Sequence, residues 1–225
     1  MEIGFILFPQ LTQLDLTGPL QVLHRTPGAR THLIARTLEP VPSDCGLSLA
    51  PTTTFAEAPP LDLICVPGGF GVIDAMEDAE TLAYVRKAGG STRYVTSVCT
   101  GAFLLGAAGL LQGKRATTHW AYHDLLPMVK AIPERGRVVR DGMTFTGGGV
   151  TAGIDFAFVV LAELAGDETA QRVQLALEYD PAPPFFAGSP SQASEGVRAP
   201  IDSFYKPRLL AFAERLQAVI SPSSV

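Results

Sequence analysis

Tyr94-Val95-Thr96-Ser97-Val98-Cys99-Thr100-Gly101-Ala102-Phe103-Leu104-Leu105-Gly106-Ala107-Ala108-Gly109 decides how the rest of the chain is read. Tyr94 to Val98 is β-branched and aromatic and follows Gly89-Gly90-Ser91, the pattern of a short buried strand. Gly101 to Leu111 is rich in Ala and Leu with almost no polar residue, so a helix largely buried on all sides is expected there. Cys99 stands at the joint. A strand-to-helix turn projects a side chain out of the sheet, and a helix N-terminus sets partial positive charge beside it, which favours thiolate. Ser97-x-Cys99-x-Gly101 keeps small residues on either side, as a tight elbow requires. Cys99 reads either as a nucleophile or as a packed core thiol, and its helix-opening position favours the nucleophile.

Working outward, 225 residues with 47% apolar and 17% charged side chains fit one domain, or one domain with an appended tail, around a large core. No uninterrupted apolar run reaches the roughly 18 residues of a membrane span, and the start Met1-Glu2-Ile3-Gly4-Phe5 has no basic leader, so a cytoplasmic protein without membrane contact is expected. A net charge of -5 without a basic run argues against nucleic acid. The three cysteines, Cys45, Cys65 and Cys99, form no CxxC, which indicates neither a disulfide framework nor a zinc site. His119 and His123 are four apart, but no Glu stands between them in the zincin manner, and no metal is expected.

Apolar runs at Ile3 to Phe8, Thr31 to Arg36 and Leu61 to Val66 join Tyr94 to Val98 as strands, with a possible short strand at Leu47 to Ala50. A hairpin is expected around Asp141-Gly142. Helices are expected from Gln13, with Thr12 as N-cap and Gly18-Pro19 tightening it, and over Ala79 to Ala88, Ile154 to Ala165 and Glu168 to Leu177. A short helix is expected from Trp120 to near Pro127. Asp180 to Pro200, dense in Pro, Gly and Ser, reads as a meandering surface stretch before a final amphipathic helix carrying Leu209, Phe212 and Leu216. Continuous apolar strands alternating with helices specify a flavodoxin-like α/β sandwich with a mostly parallel central sheet. The division expected is residues 1–190 as the domain and 191–225 as a tail with its helix.

Ligands bind such sheets at the carboxyl ends of the strands, and three features follow strands there. Asp15, between Leu14 and Leu16, is either a carboxyl with a raised pKa in apolar surroundings or an ordinary acid in a first helical turn. Pro67-Gly68-Gly69-Phe70-Gly71 is either an oxyanion-type cradle or a set of turn formers, and no Lys-Ser/Thr follows to make it a phosphate loop. Cys99 is the third.

Phe8-Pro9, Gln13-Leu14-Asp15-Leu16-Thr17-Gly18-Pro19, Val66-Pro67-Gly68-Gly69 and Ser97-Val98-Cys99-Thr100-Gly101-Ala102-Phe103-Leu104-Leu105 together resemble the DJ-1/PfpI superfamily. Ala116-Thr117-Thr118-His119-Trp120 and Thr146-Gly147-Gly148-Gly149-Val150-Thr151-Ala152-Gly153-Ile154-Asp155 are similar to its later blocks, so the likeness runs collinearly from about residue 2 to about 178. Within it the resemblance is to the isonitrile hydratase branch, through Asp15, Cys99, Thr100 and the Tyr179-Asp180-Pro181 tail. That resemblance implies an isonitrile substrate and a homodimer. The sensor domains of AraC-type regulators share these blocks, but no basic DNA-binding unit is expected here. Thr100, where the peptidase branch has histidine, and Asp15, where the glyoxalase branch has glutamate, weigh against those two branches.

An isonitrile carbon is a base first and an electrophile only after protonation, so its site needs an acid and a nucleophile on one carbon. The expected scheme gives Asp15 the proton, Cys99 thiolate the attack, and a thioimidate as intermediate, with Asp15 then serving as base for water. Thr100 would hold the Asp15 carboxyl or the water, and N–H groups around Gly68, Gly69 and Thr100 would face developing charge. Phe70, Ile73, His119 and Trp120 are candidates near the substrate. The scheme needs no metal or organic cofactor. The alternatives are a redox-sensing or ligand-binding protein using Cys99, and a glyoxalase- or deglycase-type hydrolase.

Overall fold

The strand that delivers Cys99, β7 (Tyr94–Val98), lies inside a seven-stranded sheet of a computed structural model that describes residues 1–221. It pairs in parallel with β6 (Leu63–Val66) on one side and β11 (Thr144–Gly147) on the other. The sheet continues through β1 (Glu2–Ile6), β2 (Arg30–Ala35) and β5 (Thr53–Thr54), all parallel, and ends on the other side in β10 (Val138–Asp141), antiparallel to β11. Two-residue pairs, β3 (Val41–Pro42) with β4 (Ser48–Leu49) and β8 (Arg115–Ala116) with β9 (Ile132–Pro133), lie outside this sheet.

Taken in chain order, the five main parallel strands lie 2-1-3-4-5, the flavodoxin-like arrangement. The order reverses between β1 and β6. A crevice therefore opens there at the carboxyl ends of the strands, where the segments carrying Asp15 and Gly68 emerge side by side.

Two groups of helices flank the sheet. Helix α1 (Gln13–Leu23) packs on α5 (Ala152–Ala165), which packs in turn on α6 (Asp167–Ala176). Gly18 permits the close approach, since a Cβ there would lie 3.1 Å from Ile154. The other group is α2 (Val72–Glu77), α3 (Ala79–Ser91), α4 (Gly101–Ala107), the 3₁₀ helix Trp120–Val129 and α7 (Glu195–Ile220).

Several boundaries differ from the sequence reading. Gly89-Gly90 does not end α3, which runs on to Ser91; a Cβ on Gly89 would fall 2.3 Å from Leu110, so this glycine serves packing rather than termination. Helix α4 stops at Ala107 and turns at Gly109, short of the expected Leu111. The helix after His119 is 3₁₀, and α2 was not anticipated. The largest difference is α7, which starts at Glu195 and contains Pro200 and Pro207. Each proline removes one i→i−4 bond, so the helix rests on packing: Phe212 sits against Phe103 and Tyr122, Leu216 is fully buried, and Arg215 pairs with Asp74 and Glu77 of α2.

Candidate active site

The site begins with two loops laced together at the switch point. Thr12 N donates to the Gly68 carbonyl at 2.9 Å, Gly71 N to the Gln10 carbonyl at 3.2 Å, and Leu11 bridges Gly69. Gly69 holds φ at 131°, and a Cβ there would lie 2.5 Å from the Gln10 carbonyl oxygen, so only glycine serves. Thr12 holds the N-cap position of α1, yet its hydroxyl donates to Asp44 at 2.7 Å, and Asp44 also accepts from Gln13 N at 3.4 Å. The cap of α1 therefore comes from a carboxylate in the β3–β4 turn.

This lacing fixes Asp15 in the first turn of α1, fully buried. One carboxyl oxygen accepts from Gly68 N at 3.1 Å. The other is buried without a hydrogen-bond donor of ordinary geometry among the described residues, and the Cys99 thiol is the polar side chain beside the carboxyl. Burial pushes the Asp15 carboxyl up to about 8, outweighing the lowering by the thiol and by Gly68 N–H. Of the two readings of Asp15, the buried carboxyl with the raised pKa is the one the fold contains.

Cys99 occupies a sharp elbow with φ at 56°, a conformation few L-residues adopt. Its N–H is shared between the Gly147 and Gly148 carbonyls at 3.0 and 2.9 Å, and its carbonyl accepts from the Thr118 hydroxyl at 2.7 Å. Gly101 has to be small, because a Cβ would lie 2.2 Å from the Val66 carbonyl. The expectation of a resting thiolate is corrected: burial, and then the adjacent Asp15, raise the Cys99 thiol well above its usual range. The helix-opening position does not offset that desolvation. Near neutral pH the pair holds both protons.

The N–H groups assigned to charge stabilisation are also committed elsewhere. Gly68 N–H serves Asp15 and Gly69 N–H donates to the Thr100 hydroxyl at 3.0 Å. That hydroxyl in turn donates to the Gly69 carbonyl at 3.2 Å, so it braces the glycine loop rather than holding the Asp15 carboxyl. Thr100 N–H and hydroxyl both lie against the Cys99 sulfur, the only part of the expected cradle that faces it.

A cavity of about 170 Å³ opens over Cys99, lined by Thr12, Asp44, Gly69, Phe70, Thr100, His119, Tyr122, Val150 and Tyr205. Among the residues named from sequence, Phe70 and His119 reach this cavity, Asp15 and Gly68 stand behind Cys99, Trp120 lies outside, and Ile73 is buried in α2. His119 Nδ1 accepts from Ala121 N at 3.3 Å, which leaves the proton of the neutral ring on Nε2. Burial depresses its pKa to about 4, so at neutral pH it is uncharged. Thr12, Asp44, Tyr122, Val150 and Tyr205 were missed. Tyr122 carried a faint signal, three residues after His119 in the same short helix; Tyr205, in the segment read as tail, carried none.

A model of the DJ-1/PfpI family matches residues 1–163. Isonitrile hydratase of Pseudomonas putida is 62% identical over 88% of this chain and 86% of its own length. A ThiJ/PfpI family protein from Pseudomonas syringae, of known crystal structure, superposes with a TM-score of 0.92 at 42% identity, covering 97% of this chain and 90% of that one. Oxidised DJ-1 of Toxoplasma gondii shares the fold, with a TM-score of 0.70 at 20% identity over 80% of this chain and 99% of that one.

Proposed function

The chain belongs to the DJ-1/PfpI family, and from that premise we propose that it is an isonitrile hydratase, a hydro-lyase that adds water to R–N≡C to give an N-substituted formamide. The observation that carries the reading is a fully buried carboxyl, Asp15, its pKa raised by that burial, against the Cys99 thiol at an elbow under a small cavity, in a chain 62% identical to that hydratase.

A pair holding two protons suits a substrate that must be protonated before it is attacked. Asp15 gives its proton to the terminal carbon, forming a nitrilium; Cys99 sulfur bonds to that carbon, and the thiol proton passes to the Asp15 carboxylate. The product is a thioimidate, with Asp15 protonated again and no net charge left in the pocket. Asp15 next protonates nitrogen and takes a proton from the water that attacks carbon. Collapse of the tetrahedral adduct forms C=O, breaks C–S, and sends the hydroxyl proton to sulfur through Asp15, releasing the formamide and restoring the thiol. Thr100 N–H and hydroxyl face the sulfur as charge passes through it. Neutral His119, with Nε2–H, forms part of the cavity wall.

Purified protein incubated with cyclohexyl isocyanide at pH 7 is expected to form N-cyclohexylformamide, followed by absorbance; absence of product would overturn the reading. The pH profile follows from Asp15. Its protonated form starts the reaction, and its pKa is raised to about 8, so kcat/KM is expected to stay level from about pH 6 to 7 and to fall roughly tenfold per unit well above pH 8. The limb belongs to the Asp15–Cys99 pair rather than to either group alone. A profile rising through pH 8 would instead mark the thiolate as the resting form.

The homodimer is supported by apolar side chains left bare on one chain. Leu175, Phe185 and Phe186 are 83%, 79% and 81% exposed, large apolar side chains that a second copy would cover. Light scattering after size exclusion should give about twice the 23.8 kDa chain mass, and a mass of one chain would contradict the dimer.

A further inference from the structure

We propose that α7, through Tyr205, limits the width of the isonitrile side chain at the Cys99 cavity, favouring one six-membered ring over two fused rings. The proposal rests on the isonitrile reading and adds the substrate class to it.

The cavity volume of about 170 Å³ exceeds only slightly the roughly 150 Å³ that holds a benzene molecule in an apolar protein interior. The cavity is open on one side, so a cyclohexyl or phenyl group occupies it, while the second ring of a naphthyl group has to find room against the Tyr205 wall. The walls differ in what they can give up. Thr12 and Gly69 belong to the laced loops that hold Asp15, Thr100 is bonded to Gly69, and His119 caps the 3₁₀ helix above Cys99 that carries Tyr122. Tyr205 comes from a separate element and closes the space from that side, its ring 5.2 Å from His119, 5.9 Å from Tyr122 and 5.2 Å from Phe204.

Its position is set further along the same helix. Tyr205, Leu209, Phe212 and Leu216 follow one another at helical spacing, and the last two are buried in the body. Arg215 fastens that end to α2, donating to Asp74 at 2.5 Å and to both Glu77 oxygens at 2.7 and 2.6 Å. Tyr205 is thus held by anchors that lie outside the cavity, so removing its ring enlarges the pocket while α7 stays in place.

The test measures kcat/KM for cyclohexyl and 2-naphthyl isocyanide in wild type, Tyr205→Phe, Tyr205→Ala and, as a control on an exposed α7 side chain, Leu210→Ala. Wild type, Tyr205→Phe and Leu210→Ala are expected to favour the cyclohexyl substrate by a common large ratio. Tyr205→Ala is expected to lower that ratio at least tenfold, mainly through a smaller KM for the naphthyl substrate; Tyr205→Leu supplies the comparison if circular dichroism finds the alanine variant misfolded. A parallel arm follows binding of N-cyclohexylformamide and N-(2-naphthyl)formamide by fluorescence of Trp120, the single tryptophan, 5.7 Å from Tyr205. An unchanged ratio with turnover intact overturns the size limit and leaves the reaction standing. No turnover of any isonitrile, with formamide discrimination still moving with Tyr205, overturns the reaction and keeps the size limit. Neither turnover nor discrimination overturns both.

Discussion

A Cys99→Ala variant is expected to keep its fold and to lose at least about 10⁴-fold in kcat on cyclohexyl isocyanide, because Cys99 is the one thiol among the described residues that line the cavity. Cys65 cannot substitute. It is fully buried inside β6, and burial pushes its thiol up to about 12. Alanine adopts the 56° φ of the elbow no less readily than cysteine, and the Cys99 N–H and carbonyl bonds to Gly147, Gly148 and Thr118 involve only backbone atoms on that side. Circular dichroism and thermal melting should therefore match wild type closely. Retention of more than a tenth of the parent rate would move the chemistry away from sulfur.

Asp15→Asn is expected to lower kcat by about 10³-fold, the middle of the range for loss of a positioned acid and base. The amide can still accept from Gly68 N, but it has no proton to give to the isonitrile carbon. The same variant should be more stable than wild type. Folding holds the Asp15 proton to about 8, whereas the unfolded carboxyl releases it near 3.8, so wild-type stability declines as pH rises from about 4 to 8. The asparagine side chain does not titrate and carries no such dependence. The stability gap in favour of Asp15→Asn should thus widen from pH 5 to pH 8, reaching about 2 kcal/mol or more, as measured by urea unfolding at each pH. A gap that stays flat over that interval would show that Asp15 is ionised in the folded protein.

The parallel sheet and the elbow were legible because their signals are local: β-branched runs, a cysteine between small residues, and an apolar helix after it. Asp15 was legible as a choice between two roles, and depth decided it. What the sequence could not carry was depth itself. The linear pattern placed Cys99 at a helix start and so favoured thiolate, but the burial that reverses this comes from the glycine loops after β6 and β11, at Gly68 and Gly149, and from His119 and Tyr122, brought around one side chain. Thr100 was placed correctly in the chain and differently in its bonding, since its hydroxyl turns to Gly69 only once the two loops are laced. The amphipathic second half of α7 was legible from Leu209, Phe212 and Leu216, but its first half was hidden for another reason. Gly196, Pro200 and Pro207 lower local helix propensity, and what sustains the helix is contact with Phe103, Tyr122, Asp74 and Glu77 far away in the chain. With it went Tyr205, the cavity wall no local motif announces.

Covalent catalysis at Cys99 is tested most directly by rapid acid quench of the protein with cyclohexyl isocyanide, followed by mass spectrometry of the Cys99 peptide. The account predicts a peptide heavier by one isonitrile, forming before N-cyclohexylformamide and decaying as it accumulates, and absent in Cys99→Ala. Formamide produced at an undiminished rate by Cys99→Ala, with no adduct on the parent, would contradict it.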